Sequence, residues 1–193
     1  IAFSPSGLSV VTAADEVARV WQIDGNGEII NLRGHSDMIE SVAFSPDGTR
    51  VVTASDDNTA RVWRLDGNGE PEVLQGHGGP VVNAAFSSDG RLIVTSSFDH
   101  TARVWRAGSN GKPIVLHGHE DVLTSASFSP DGTRVVTASD DNTARVWSLD
   151  GSGKVIVLRG HDEDVTSAAF SSDGKTLASA AEDRTVRVSV MKR

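Results

Sequence analysis

The chain has no cysteine among its 193 residues, which excludes disulfides, thiolate catalysis and Cys-based zinc sites together. Its apolar runs are only a few residues long, too short to cross a bilayer as a helix. Positive charge is also scarce: 18 Lys and Arg stand against 26 Asp and Glu, a formal net charge of −8. A basic nucleic-acid footprint is therefore missing, and an anionic membrane surface would repel the chain. It opens on Ile1-Ala2-Phe3, with no initiator Met and no signal-peptide pattern. We expect a piece cut from something longer, in the cytoplasm. The 19 Gly, 6 Pro and 38% hydrophobic residues are ordinary, and a chain of this length can bury roughly two-thirds of its unfolded surface.

What the chain does have is repetition. Trp21, Trp63, Trp105 and Trp147 are spaced by 42 residues, as are Phe44, Phe86, Phe128 and Phe170. Gly-His pairs recur with the same period at Gly34-His35, Gly76-His77, Gly118-His119 and Gly160-His161. Residues 44–66 and 128–150 differ only at Arg64 versus Ser148. Five units result, at roughly 1–33, 34–75, 76–117, 118–159 and 160–193. Inside a unit the apolar period is two, which is the signal of a strand. Residues 49–55 and 59–65 are rich in β-branched and aromatic types, and further strands fit near 38–44 and 70–74. Turn clusters such as Ser45-Pro46-Asp47-Gly48 and Asp56-Asp57-Asn58 separate them. The expected fold is all-β, each unit a four-stranded antiparallel meander with strands A to D in chain order after each Gly-His.

Four short strands per 42 residues, a Gly-His opening and a Trp closing strand C resemble the WD-repeat family of β-propellers. The resemblance covers essentially the whole chain. One departure is that Trp is followed by Gln22, Arg64, Arg106 or Ser148, so the dipeptide that names the family is missing. The resemblance implies a hydrogen-bonded tetrad in each blade: His from the D–A loop, Ser or Thr on strand B, Asp in the B–C turn and Trp on strand C. Three sets fit, namely His35, Ser55, Asp57, Trp63; His77, Ser97, Asp99, Trp105; and His119, Ser139, Asp141, Trp147. In the first unit Ala13 takes the Ser place, and in the fifth Ala181 and Ser189 take those of Ser and Trp. Ser, His and Asp are also hydrolase ingredients. A nucleophile needs exposure and a unique pocket, however, whereas a constellation repeated three times with Trp attached is scaffold. We expect no enzyme.

Two motifs are decoys. Gly174-Lys175-Thr176 resembles the tail of a P-loop but lacks the earlier Gly, that place being Ala169, and aligns with the A–B turn Gly48-Thr49-Arg50. Asp24-Gly25-Asn26-Gly27-Glu28 resembles part of a calcium loop without its spaced oxygens or distal Glu. We expect no metal and no cofactor.

Whatever breaks the period is then a candidate for function. Nine of the ten aromatic residues sit at repeat positions. The tenth is Phe98, where other units carry Ala14, Asp56, Asp140 or Glu182, and His100 replaces Asn58 and Asn142. Strand order puts the B–C turns and D–A loops at one end, which in the WD-repeat family carries many partner surfaces. Phe98 is there either an exposed anchor or tucked against a neighbouring loop. That end is acidic through Asp37, Glu120, Asp121, Asp56, Asp140 and Glu182 among others, as a basic partner or mere turn chemistry would require. The expected function is a non-catalytic protein–protein interaction scaffold binding a protein or peptide at this end. The alternative is a sensor propeller of a larger bacterial signalling protein, with a kinase or NTPase module, because near-identical repeats resemble the bacterial members of the family. Propellers of this family commonly close with seven blades. The five units are expected to be part of a larger ring, or to self-associate through open blade edges.

Overall fold

The computed structural model describes residues 1–109 and 111–191. Among them it is all-β, with strands grouped into five antiparallel sheets, or blades, each in chain order. Blade 1 holds β1 (Ala2–Phe3), β2 (Ser9–Ala14), β3 (Val17–Gln22) and β4 (Ile30–Arg33). Blade 2 holds β5 (Ile39–Phe44), β6 (Arg50–Ser55), β7 (Thr59–Arg64) and β8 (Glu72–Gln75). Blade 3 holds β9 (Val81–Phe86), β10 (Leu92–Ser97), β11 (Thr101–Arg106) and β12 (Ile114–His117). Blade 4 holds β13 (Leu123–Phe128), β14 (Arg134–Ser139), β15 (Ala144–Ser148) and β16 (Val155–Leu158). Blade 5 has three strands among the described residues: β17 (Val165–Phe170), β18 (Thr176–Ala181) and β19 (Val186–Val190).

Both faces of a blade must be covered, and strand B shows why the sequence permits it. Val51, Thr53 and Ser55 project to one side of β6, Val52 and Ala54 to the other, and all five are fully buried. The odd set meets the preceding blade: Val51 and Trp63 pack with Val11, Ala18, Val20 and Leu32 of blade 1. The even set meets the following blade: Val52, Ala54, Val62 and Leu74 pack with Val81, Ile93 and Trp105 of blade 3. The same seam recurs between blades 3 and 4 and between blades 4 and 5. Each fully buried Val or Ile contributes about 1.5–3 kcal/mol, so the seams are the core. The outer faces of the first and last blades are uncovered. Trp21 is 36% exposed while Trp63, Trp105 and Trp147 are at 5–6%, and Val186, Val188 and Val190 stand largely in solvent.

The A–B turns are closed from within. Ser45 Oγ accepts the Arg50 N–H at 3.0 Å and donates to Asp47 Oδ1, which also accepts the Thr49 N–H at 3.0 Å. Gly48 takes a φ of 70°, where a Cβ would be strained. The hydrogen bond from Ser45 comes first among the causes that hold the Asp47 carboxyl down at about 2. Blades 2 and 4 add a latch to their neighbours. Arg134 donates from Nη2 to Gly174 O at 3.1 Å and lies 4.9 Å over the Phe170 ring; Arg50 does the same to Gly90 and Phe86. Blade 3 has Leu92 at that place. Arg134→Leu should therefore lower stability by about 1–2 kcal/mol, read as a drop in the urea midpoint; an unchanged midpoint would show that the latch is idle.

Candidate functional site

The tetrads form around a different hydroxyl from the one expected. The Trp63 Nε1–H donates to Thr53 Oγ1 at 2.9 Å, and Thr53 Oγ1 lies 2.7 Å from His35 Nε2. Because the indole supplies a proton, the threonine hydroxyl gives its own to Nε2. That leaves His35 Nδ1–H to donate to Asp57 Oδ2 at 2.7 Å, in a neutral imidazole of fixed tautomer. Asp57 also accepts from Ser36 N at 3.2 Å, Thr59 N at 3.0 Å and Thr59 Oγ1 at 2.6 Å. Blades 3 and 4 repeat the arrangement with Thr95, Thr101 and with Thr137, Thr143.

Ser55, Ser97 and Ser139 are thus corrected as tetrad members. Register is the reason: Trp63 pairs with Val51, which places its indole one same-face step from Thr53 and two from Ser55. Ser55 instead donates to Asp37 O at 3.0 Å and accepts the Asp57 N–H at 3.2 Å, pinning the B–C turn to the D–A loop. Ser97 and Ser139 do likewise toward Gly79 O and Asp121 O. None of the three serines touches an imidazole, so no Ser-His-Asp relay is assembled, and the threonine hydroxyl that does is fully buried.

The end units keep what they can. Blade 5 holds His161 between Asp183 and Ser179, each at 2.9 Å. In blade 1 the Trp21 Nε1–H reaches Thr12 Oγ1 at 2.8 Å. There the B–C turn is a residue shorter, Ala14 pairs with Val17, and Asp15 sits in the turn at a φ of 53° instead of bracing a histidine. The Gly of each Gly-His pair is also explained. At Gly34 (φ 153°) an added Cβ would lie 2.8 Å from the Arg61 guanidinium, which tucks beneath the loop. The Thr after the turn Asp and this strand-C Arg recur with the 42-residue period, the signal by which both were legible.

At the same end, each residue preceding the turn Asp hands its N–H to the D–A loop: Asp56 to Met38 O, Phe98 to Pro80 O, Asp140 to Val122 O and Glu182 to Asp164 O, at 2.9–3.1 Å. The geometry therefore brings Asp37, Asp56, Phe98, Glu120, Asp121, Asp140 and Glu182 to one surface. Phe98 is 48% exposed and lies over Gly79, whose added Cβ would come 3.5 Å from the Phe98 Cβ. The D–A loop before it, Gly78-Gly79-Pro80, carries none of the acids of its counterparts. His100 is exposed and takes the left-handed turn conformation (φ 64°) of Asn58 and Asn142, a constraint the sequence alone did not reveal. Negative charge is densest by blades 4 and 5: burial first, then Asp164, Asp121 and Glu182, push the Asp140 carboxyl up. Among the described residues no cluster of His, Asp and Glu has the arrangement to hold a metal ion, and no helix is long and apolar enough to cross a membrane.

The model of the WD domain, G-beta repeat, matches four times, at residues 27–64, 70–106, 111–148 and 152–188. The chain belongs to the WD40 repeat family. Among curated proteins a 58-residue stretch is 40% identical to "Apoptotic protease-activating factor 1" of Rattus norvegicus and of Mus musculus, and 38% identical to that of Homo sapiens. The stretch is 30% of this chain and only 5% of each relative's length.

In this WD40 chain the Thr95 hydroxyl carries two buried partners, so its loss orphans both. Thr95→Val should cost about 2–3 kcal/mol, while Thr95→Ser, the residue blade 5 uses as Ser179, should spare most of it. Equal urea midpoints for the two variants would contradict the shared-hydroxyl geometry.

The histidines also set a pH dependence. Burial pushes His35, His77 and His119 below their ordinary value, against the pull of Asp57, Asp99 and Asp141. Burial alone would raise those carboxyls, but hydrogen bonds from Thr, His and main-chain N–H outweigh it, and Asp99 falls to about 2. Both kinds of group have depressed values in the fold, so the unfolded chain binds more protons in acid. Stability should be full above the ordinary histidine value of about 6.5 and fall steadily as pH drops below it, and further below about 4. A urea midpoint that stays flat from pH 7.5 to roughly 5 would contradict the neutral-imidazole assignment.

Proposed function

We propose that this WD40 propeller is a non-catalytic interaction scaffold that binds a protein or peptide segment of basic character at the end where D–A loops and B–C turns meet. The observation that carries the reading is Phe98: an aromatic side chain, half in solvent, that breaks a 42-residue period and rests against Gly79 in a loop without charged side chains. A half-exposed aromatic beside adaptable polar groups is the composition of a binding anchor. His100 flanks it in the same turn, and Asp56 and Asp140 occupy the equivalent turns of the adjacent blades. Asp37, Glu120, Asp121 and Glu182 extend a negative field that would steer a cationic segment. Nucleic acid and anionic membranes are disfavoured by the net charge of −8. A cytoplasmic setting is part of this proposal. Self-association through the uncovered outer faces, at Trp21 and at Val188, belongs to the same proposal.

A second reading makes the propeller the regulatory part of a larger signalling protein, in the bacterial case one with a kinase or NTPase module. It is favoured by relatives whose printed name is that of a protease-activating factor and of which the matched stretch is only 5%. The parent reading frame distinguishes the two.

The anchor is tested with peptides selected from a random library on the immobilised chain. Those selected should be rich in Lys and Arg, and Phe98→Ala should weaken them by roughly tenfold or more with an unchanged urea midpoint. Equal binding by the variant would remove Phe98 from the site.

A further inference from the structure

Two departures from the repeat touch each other at the opposite end of the molecule. Glu72 stands on β8 where blades 1, 3 and 4 have Ile30, Ile114 and Ile156, and Gly108 stands where other units have Asp24, Asp66 and Asp150. Across the seam between blades 2 and 3 the Gly108 N–H donates to Glu72 Oε2 at 2.8 Å. An aspartate at 108 would set two carboxyls against each other, so the pair of changes is mutually consistent. The second oxygen is the informative one. Glu72 Oε1 is shielded from solvent and has no hydrogen-bond partner among the described residues. A dry, unpaired carboxylate oxygen is costly, and a purely structural role would be met by the isoleucine of the other blades.

Glu72 borders an open cleft of about 760 Å³, walled on its apolar side by Val62 and Leu65. Two arginines also line it, and both are engaged. Arg64 Nη2 donates to Asp66 Oδ2 at 2.6 Å, and Arg50 Nη2 donates to Gly90 O at 2.9 Å. Among the described residues neither Glu70 nor Glu72 has an ion-pair partner. We propose that this cleft is a second binding site, taking a lysine side chain of a partner polypeptide. The aliphatic stem lies along Val62 and Leu65, and the ammonium donates to the Glu72 carboxylate, whose Oε1 comes within reach when the carboxylate group turns toward the cleft. Lysine fits better than arginine because Oε2 is already occupied by Gly108. A guanidinium fork needs both oxygens, whereas a compact ammonium needs one.

The Gly108 amide is a built-in reporter, since it shares the Glu72 carboxylate. The ¹⁵N-labelled chain is titrated with acetyl-Gly-Lys-Gly-amide, and with its arginine and norleucine counterparts. We expect a saturable shift of the Gly108 resonance with the lysine peptide, weaker with arginine and absent with norleucine, while the Phe98 amide stays still. Glu72→Gln keeps an oxygen for Gly108 but removes the charge, and should weaken the response by roughly tenfold. No shift at Gly108, a norleucine response equal to that of lysine, or a Glu72→Gln titration like the wild type would each overturn the site. A shift at Phe98 alone would place lysine recognition at the other end.

Discussion

A tryptophan N–H taken out of water needs an acceptor, and in this protein the acceptor is a threonine hydroxyl that must in turn give its proton to an imidazole. The rest of the blade follows from that sharing. The imidazole is held neutral and passes its remaining N–H to an aspartate, and the aspartate ties down the loop on one side and the turn on the other. One buried indole thereby fixes the relative placement of strand B, strand C, the B–C turn and the D–A loop. Partial satisfaction would leave several polar groups dry, so the network persists as a unit.

With each loop end pinned in this way, the propeller presents a rigid rim on which single residues can be varied at little structural cost. Residues 44–66 and 128–150 differ at one position, which sets the repeat against which departures are read. Departures therefore carry information. Phe98 over Gly79 is one pair of coordinated departures, and Glu72 on Gly108 is another, at opposite ends. In each, a large or charged side chain appears together with a neighbouring glycine that makes room or offers an N–H. Coordinated change between residues in contact is what separates these positions from ordinary surface drift.

Electrostatics points the same way. Burial first and then like charges disfavour the ionisation of Asp140, whereas Asp57, Asp99 and Asp141 are stabilised by four hydrogen bonds apiece and have no need of an external partner. The acidic residues of this end thus divide by role: those that face inward hold the loop, and those that face outward shape its field.

Most of the architecture was legible because repetition amplifies local signals. A period of two within strands and of 42 between them left no room for helices, and Gly-His and Trp marked the blade edges. The identity of the tetrad hydroxyl was not legible, because Thr53 and Ser55 lie on the same face of β6 and differ only in which one cross-strand register sets near Trp63. Nor was it visible that Asp15 serves a tight turn, since the missing residue in that turn becomes apparent only once Ala14 pairs with Val17. The amino-acid order by itself determined the all-β blades and their number in this chain, because strand period and turn chemistry are local. Which hydroxyl is shared, how far Phe98 stands in solvent and which oxygen of Glu72 is left unpaired were decided by the packing of one blade against the next, because those contacts join residues that the sequence holds far apart.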